Sequence, residues 1–130
     1  MADGSRSYAL EDFELYQHAR SFRRNIYRLL PRLPKQEMYA LGSQMRRAAI
    51  SVSNNIAEGH GRWHDQESIQ FYRIARGSIE EIIDDLHICL DESYFPLTEI
   101  DPLKQEALQL IHRINSFVAY LKRKRTQRPN

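Results

Sequence analysis

The chain has 130 residues, a formal net charge of +2, 42% apolar and 28% charged residues, and one cysteine, Cys89. This length and composition predict one soluble globular domain, residues 1–130, and exclude a disordered chain or a disulfide-stapled scaffold. The lone cysteine, the lack of a signal-peptide pattern and the lack of about 18 consecutive apolar residues favour a cytoplasmic protein outside the membrane.

Apolar residues spaced three or four apart predict two helices in the first half of the chain. The first helix ends near Pro31 and Pro34, and its apolar positions are Leu15, Ala19, Phe22, Ile26, Leu29 and Leu33. The second closes at Gly59, since Gly59 and Gly61 can adopt the left-handed conformations that end helices. Its apolar positions are Met38, Leu41, Met45, Ala48, Val52 and Ile56.

The same spacing predicts two more helices in the second half. The third spans about residues 65–93, with Asp65 as its cap and with apolar positions Tyr72, Ala75, Ile79, Ile82, Leu86 and Cys89. The fourth starts at Asp101 and Pro102 as cap and first helical residue, and its apolar positions are Leu103, Ala107, Leu110, Ile114, Phe117 and Leu121. No alternating strand pattern occurs. The fold class predicted is all-α, an antiparallel up-down four-helix bundle ordered over about residues 10–124 with flexible termini.

Charge is distributed unevenly along the chain. Residues 1–79 carry 12 basic and 8 acidic side chains, residues 80–106 carry 1 and 9, and residues 107–130 carry 6 and none. This pattern favours either nucleic-acid binding by the basic parts or pairing of basic with acidic surfaces between identical subunits.

Two segments carry a family resemblance: LGSQMRRAAISVSNNIAEGHGR and FYRIARGSIEEIIDDL. They resemble the bacterial four-helix-bundle family encoded in intervening sequences of 23S ribosomal RNA genes. That resemblance implies a ring-shaped homopentamer without established catalytic activity. A distant relative in the same fold is the accessory protein of diversity-generating retroelements, which engages a reverse transcriptase and nucleic acid. The signature positions here are Asn55, Glu58, Gly59, Arg62, Gly77, Ser78 and Glu81.

Basic residues on three helices are the candidates for nucleic-acid contact, because guanidinium and ammonium groups bind phosphate. They are Arg20, Arg23, Arg24, Arg28, Arg46, Arg47, Lys122, Arg123, Lys124, Arg125 and Arg128. An alternative is that Arg46 or Arg47 pairs with Glu58, Glu81 or a carboxylate of a neighbouring subunit. The first-helix arginines could likewise dock on the neighbour's acidic cluster of Glu80, Glu81, Asp84 and Asp85.

Polar and small residues of the second and third helices have structural interpretations as well. Asn55 and Glu58 either satisfy backbone groups at a helix end or line a small polar pocket. Gly77 inside a helix costs about 1 kcal/mol relative to alanine, which predicts close approach of another helix and a buried Glu81. Cys89 is expected in the core.

No metal site or cofactor is expected. His60, His64, Asp65 and Glu67 provide metal-type ligands, but no regular spacing converges three or four of them. We therefore expect a non-enzymatic homo-oligomer, a pentamer by resemblance, that binds nucleic acid and RNA in particular. The alternative is a protein-interaction adaptor, such as a retroelement accessory protein that engages a reverse transcriptase. An enzyme using Glu58, His60, His64 or Asp65 is the third and weakest hypothesis.

Overall fold

Four helices make up most of the computed structural model, which describes residues 9–126. They are α1 (Glu14–Leu29), α2 (Leu41–His60), α3 (Asp65–Asp91) and α4 (Leu97–Thr126). Short 3-10 turns at Leu10–Asp12, Leu30–Arg32 and Lys35–Glu37 lead into α1 and connect it to α2. The described residues contain no strand, so the all-α prediction is confirmed.

Consecutive helices run antiparallel, as side-chain contacts between them show. Gln44 of α2 contacts Asp85 of α3, and Ser51 of α2 contacts Ser78 of α3. Residue numbers therefore rise along α2 in the direction in which they fall along α3. The α1–α4 pair behaves the same way, with contacts Phe13–Phe117, Asn25–Glu106 and Arg32–Glu99. Because α1 packs mainly against α2 and α4 and α3 packs against the same two helices, α1 and α3 lie diagonally opposite. This is the predicted up-down bundle.

The core consists of the apolar stripes that the sequence pattern predicts. All of those positions are buried except Met38, which is exposed, and Leu103 and Phe117, which are half-buried. Met38 differs because it lies in the connection before α2 rather than in the helix. Cys89 is fully buried, as expected, and burial raises the pKa of its thiol to about 11, so the thiolate that a nucleophile requires is disfavoured.

The predicted end of α2 is wrong in its conformation. Gly59 lies inside the helix, Gly61 has a φ of −81°, and none of the described glycines has a positive φ. Gly59 is needed for space instead: a Cβ there would lie 2.4 Å from Cε1 of Tyr72 in α3. The left-handed residue that follows a helix is Ser93, with a φ of 60°, after α3. There the Ser93 and Tyr94 amides donate to the carbonyls of Leu90 and Cys89.

The predicted starts of α3 and α4 also need correction. Asp65 is the first residue of α3 rather than its cap, and its carboxylate is buried with Oδ2 3.8 Å from Nζ of Lys124 in α4. Helix α4 begins at Leu97, so Pro102 lies inside it. Pro96 starts that helix, because its carbonyl accepts hydrogen bonds from the amides of Glu99 and Ile100. No helix among the described residues is long and apolar enough to span a bilayer.

Candidate nucleic-acid interface

The outer surface of α1 presents a shallow groove of polar and basic side chains. We call it the arginine face; its residues are Gln17, Arg20, Ser21, Arg24, Asn25 and Arg28. Arg20, Arg24 and Arg28 recur every four residues, which places them on one side of the helix with a rise of about 6 Å between neighbours. The apolar residues of α1 are on the opposite side and face the core. The bundle therefore turns this basic stripe toward solvent.

The three arginines of this face retain accessible guanidinium groups. Arg20 lies over the Tyr16 ring, with Cζ 5.9 Å from its centroid, and Arg28 Nη1 donates to Asn25 Oδ1 at 2.9 Å. Arg24 is exposed, and its side chain makes no hydrogen bond, ion pair or ring contact within the described chain. None of the three is paired with a carboxylate among residues 9–126. An anion approaching this face would meet three guanidinium groups without an ion-pair partner among the described residues, although the Glu106 carboxylate lies nearby and accepts a hydrogen bond from Asn25 Nδ2 at 2.8 Å.

Arg23 and Arg46, also predicted to contact nucleic acid, are directed toward the seam between α1 and α2. Arg23 is half-buried, and its Nη1 donates to Ser53 Oγ at 2.8 Å. Arg46 is exposed but lies over Tyr27 of α1, with Cζ 4.9 Å from the ring centroid. These contacts fasten α1 to α2. Arg46 flanks the arginine face, whereas Arg23 serves mainly to hold the two helices together.

Arg47 projects from a different side of α2. It is exposed, and its side chain makes no hydrogen bond, ion pair or ring contact within the described residues, as expected for a residue about 100° around the helix from Arg46. The predicted pairing of Arg46 or Arg47 with Glu58 does not occur within the chain, because Glu58 pairs with Arg62 at 2.7 Å. The structure therefore does not bring Arg46 and Arg47 together as one phosphate clamp.

The basic C-terminal segment is only partly available. Lys122 and Arg123 are exposed, but Lys124 has only 14% of its side chain exposed and lies beside the buried Asp65. Although residues 107–130 contain no acid of their own, an acidic residue of α3 therefore lies against this basic segment. Arg128 and the side chain of Arg125 lie outside the described part of the chain.

The signature residues of α2 form its packing contacts with α3. Asn55 Nδ2 donates to the Ser51 carbonyl at 2.8 Å, and Ser51 Oγ shares a 2.8 Å hydrogen bond with Ser78 Oγ. Arg62 pairs with Glu58 and lies over Phe71, with Cζ 4.7 Å from the ring centroid, so it spans both helices. Ser68 Oγ also donates to the Gly59 carbonyl at 2.8 Å. Asn55 thus bonds Ser51 within α2, whereas Ser51, Arg62 and Gly59 contact α3, and these residues do not converge on a polar pocket.

Gly77 and Glu81 differ from their predicted environment. A Cβ on Gly77 would meet nothing within 4 Å among the described residues, and Glu81 is exposed. No helix of the same chain therefore requires the glycine. Both belong to a solvent-facing line on α3 that we call the outer stripe, made of Gln70, Ile74, Gly77, Glu81 and Asp84.

The acidic cluster contains one member that the sequence pattern did not distinguish. Asp85 is fully buried, with Oδ1 accepting a hydrogen bond from Gln44 Nε2 at 2.9 Å and Oδ2 lacking a partner among the described residues. Burial, reinforced by the charges of Asp84 and Glu81, raises its pKa from 3.8 to about 6. Its position between Ile82 and Leu86 of the core stripe is the signal that it faces inward. The described residues hold no cluster of three metal-type ligands.

Comparison with known proteins places the chain in a family. No curated protein matches it. The model of the 23S rRNA-intervening sequence protein family matches residues 11–116, which span nearly all of the bundle from the turn before α1 into α4. The match includes the arginine face and the α2–α3 seam, and it confirms the resemblance inferred from the two sequence segments. The chain therefore belongs to the 23S rRNA-intervening sequence protein family.

Proposed function

We propose that this protein is a non-enzymatic, homo-oligomeric scaffold that binds RNA through the arginine face of α1. The observation that carries the proposal is the alignment of Arg20, Arg24 and Arg28 on one exposed stripe, where none of them pairs with a carboxylate of residues 9–126. Guanidinium groups spaced along a helix can contact successive phosphates of a nucleic-acid backbone. Arg46 beside Tyr27 extends the same positive surface onto α2.

RNA is the proposed nucleic acid because the family is named for the intervening sequences of 23S rRNA. Backbone contacts alone do not distinguish RNA from DNA, since phosphate is common to both. The exposed face therefore supports polyanion binding, and the family supports RNA as its form. The absence of catalysis is part of the proposal; the buried Cys89 and the lack of a converging acid–base pair at the arginine face support it.

Self-association is supported by the outer stripe of α3. Glycine in a helix costs about 1 kcal/mol relative to alanine, yet nothing within the described chain approaches Gly77. Ile74 beside it is 52% exposed. Close approach of a second copy would account for both features. We propose the ring of five subunits that the family resemblance implies.

The test of RNA binding compares two double variants that remove the same charge. Arg24→Gln with Arg28→Gln changes the arginine face, whereas the control pair Lys35→Gln with Arg73→Gln changes exposed basic residues elsewhere. Binding of nuclease-treated protein to fluorescent single-stranded RNA is measured across a salt series. Losing two phosphate contacts should reduce the slope of log K against log salt by about 1.4, and the control should retain the original slope.

Three other outcomes would change the assignment. Equal effects of the two pairs would remove the arginine face as the binding surface. No binding at low salt by an intact oligomer would favour the protein-interaction adaptor, with a reverse transcriptase as one candidate partner. A monomer under every condition, measured by light scattering in the same buffers, would remove the scaffold part of the proposal.

A further inference from the structure

A cavity of about 650 Å³ opens between the start of α1 and the C-terminal half of α4. Its volume lies in the range of about 300–1,000 Å³ that small-molecule sites occupy. The signature residues and the arginines of the arginine face do not line it. The cavity therefore needs an explanation of its own.

Aromatic rings form the apolar part of this cavity. Phe13 and Phe117 have ring centroids 5.3 Å apart, and Phe117 and Tyr120 have centroids 5.9 Å apart with planes inclined by 33°. Phe13 is buried, whereas Tyr120 is 43% exposed. The buried rings fix the position of Phe117, which in turn supports Tyr120. Tyr120 thus presents an exposed, supported ring on which a planar aromatic ligand can stack.

The rim of the cavity favours an uncharged ligand that donates hydrogen bonds. Asp12 and Glu14 place two carboxylates on the α1 side, while Arg113 is the one permanent cation among the lining residues. Two carboxylates would repel a phosphate held inside the cavity. They would accept hydrogen bonds from the amino group of a nucleobase, as carboxylates accept from the cytosine amino group. His18, His112 and Ser116 add further polar atoms around the opening.

The cavity continues the path of the arginine face. Glu14 and His18 of the cavity lie three residues before Gln17 and Ser21 of that face, so they are neighbours on the surface of α1. On the other side, Arg123 is exposed one turn after Tyr120, so it lies on the same side of α4. A strand whose phosphates follow the α1 arginines would therefore reach the cavity with basic groups on both sides of it.

We propose that this cavity holds one unpaired, amino-bearing nucleobase of the RNA, stacked on Tyr120 with its amino group donating to Asp12 or Glu14. The inference rests on the proposed function, since the arginine face would supply the backbone contacts. It assigns base recognition to a site separate from the phosphate contacts.

The test uses single-stranded RNAs of equal length and charge, so that only the bases differ. Adenine- and cytosine-containing oligonucleotides are compared with uracil and abasic ones by fluorescence anisotropy at one salt concentration. Stacking of one base predicts roughly 5- to 150-fold tighter binding than to the abasic oligonucleotide. The amino group predicts that adenine or cytosine is preferred over uracil.

Tyr120→Leu should abolish the preference for base-containing over abasic oligonucleotides without changing the salt slope. Tyr120→Phe should retain that preference, because its ring can still stack.

Trp63→Leu is the matched control, because Trp63 is 68% exposed at the same end of the bundle but does not line the cavity. Unchanged thermal unfolding of each variant would show that the fold is intact. Equal binding of base-containing and abasic oligonucleotides, with a steep salt slope, would overturn this inference and leave the proposed function standing. Loss of the preference in Trp63→Leu but not in Tyr120→Leu would also overturn it. No binding of any oligonucleotide at low salt would overturn both proposals.

Discussion

The buried carboxylate of Asp85 destabilises the folded protein at neutral pH. Its carboxylate lies among apolar neighbours of α3 with a single hydrogen bond, from Gln44. A buried charge without a cation is unfavourable, which is why burial raises its pKa to about 6. Its Oδ2 has no hydrogen-bond partner among the described residues. By contrast, the hydroxyl groups of Ser51 and Ser78 in the same α2–α3 seam bond each other.

The stability of the protein should therefore depend on the protonation of Asp85. Its folded-state pKa of about 6 exceeds the unfolded value near 3.8, so the cost is full above about pH 6 and disappears toward about pH 4. Two pKa units correspond to about 3 kcal/mol. Asp85→Asn cannot ionise, so its advantage in free energy of unfolding over the parent should grow by about 2.5 kcal/mol between about pH 4 and about pH 7.

Urea unfolding at both pH values measures this difference. Asp91→Asn is the control, because Asp91 is exposed on the same helix and its charge is not among those that raise the pKa of Asp85, so its advantage should change little with pH. An Asp85→Asn advantage of the same size at both pH values would contradict the assignment of the cost to this carboxylate.

Gly59 illustrates a residue fixed by packing rather than by backbone conformation. A Cβ there would collide with the Tyr72 ring at 2.4 Å, whereas a Cβ on Gly61 would approach nothing closer than 3.7 Å. Gly59→Ala should destabilise the protein by about 1–3 kcal/mol through overpacking. Gly61→Ala, at a φ of −81°, should be neutral or stabilising by up to about 1 kcal/mol. Thermal unfolding of the two variants distinguishes them, and equal effects would contradict the steric explanation.

At the scale of elements, the four helices follow from apolar periodicity because each must bury one stripe against its neighbours. Helix ends are harder to predict, since they depend on partners in other helices. Asp65 looked like a cap in the sequence but is held inside the bundle beside Lys124. Pro102 looked like a helix start, yet α4 begins five residues earlier at Leu97. The Asp65–Lys124 contact leaves no local signal in the sequence, whereas Pro96, directly before Leu97, does mark the start of α4.

The candidate site was predictable to the same extent. The sequence predicted that all the arginines of α1 contact nucleic acid, and spacing by four is what places Arg20, Arg24 and Arg28 together on the exposed side of that helix. That Arg23 would bond Ser53, or that Tyr120 would border a cavity with α1, depends on which helices become neighbours. A one-dimensional pattern gives the face of a helix but not the residues across from it.

Helix α3 should gain intrinsic stability when its exposed glycine is replaced. Gly77 lies in the helix interior with free space around it, so Gly77→Ala should add about 1 kcal/mol to the free energy of unfolding. Ser116→Ala, also exposed and mid-helix in α4, provides a reference of smaller expected gain because serine is a better helix former than glycine. Urea unfolding at low protein concentration limits the contribution of association. A loss of stability in Gly77→Ala would indicate that the helix itself requires glycine.

At the scale of the whole molecule, the bundle separates its two charged surfaces. The arginine face belongs to α1 and the outer stripe to α3, and these helices are diagonal partners. Each surface therefore faces its own side of the bundle. A subunit can use the outer stripe for association and leave the arginine face open to RNA, so the two parts of the proposed function do not compete for one surface.

This separation predicts that assembly can be broken without changing the fold. Gly77→Trp fills the outer stripe with a large ring where a second copy would approach, so it should lower the mass of the particle in solution. Leu108→Trp is the matched control, because Leu108 is 43% exposed on the outer side of α4, and it should leave the mass unchanged. Light scattering gives the mass, and circular dichroism checks the helix content. A Gly77→Trp protein that keeps the parent mass would exclude the outer stripe as the contact between subunits. A smaller particle with an undiminished RNA salt slope would instead indicate that each subunit binds RNA through its own arginine face.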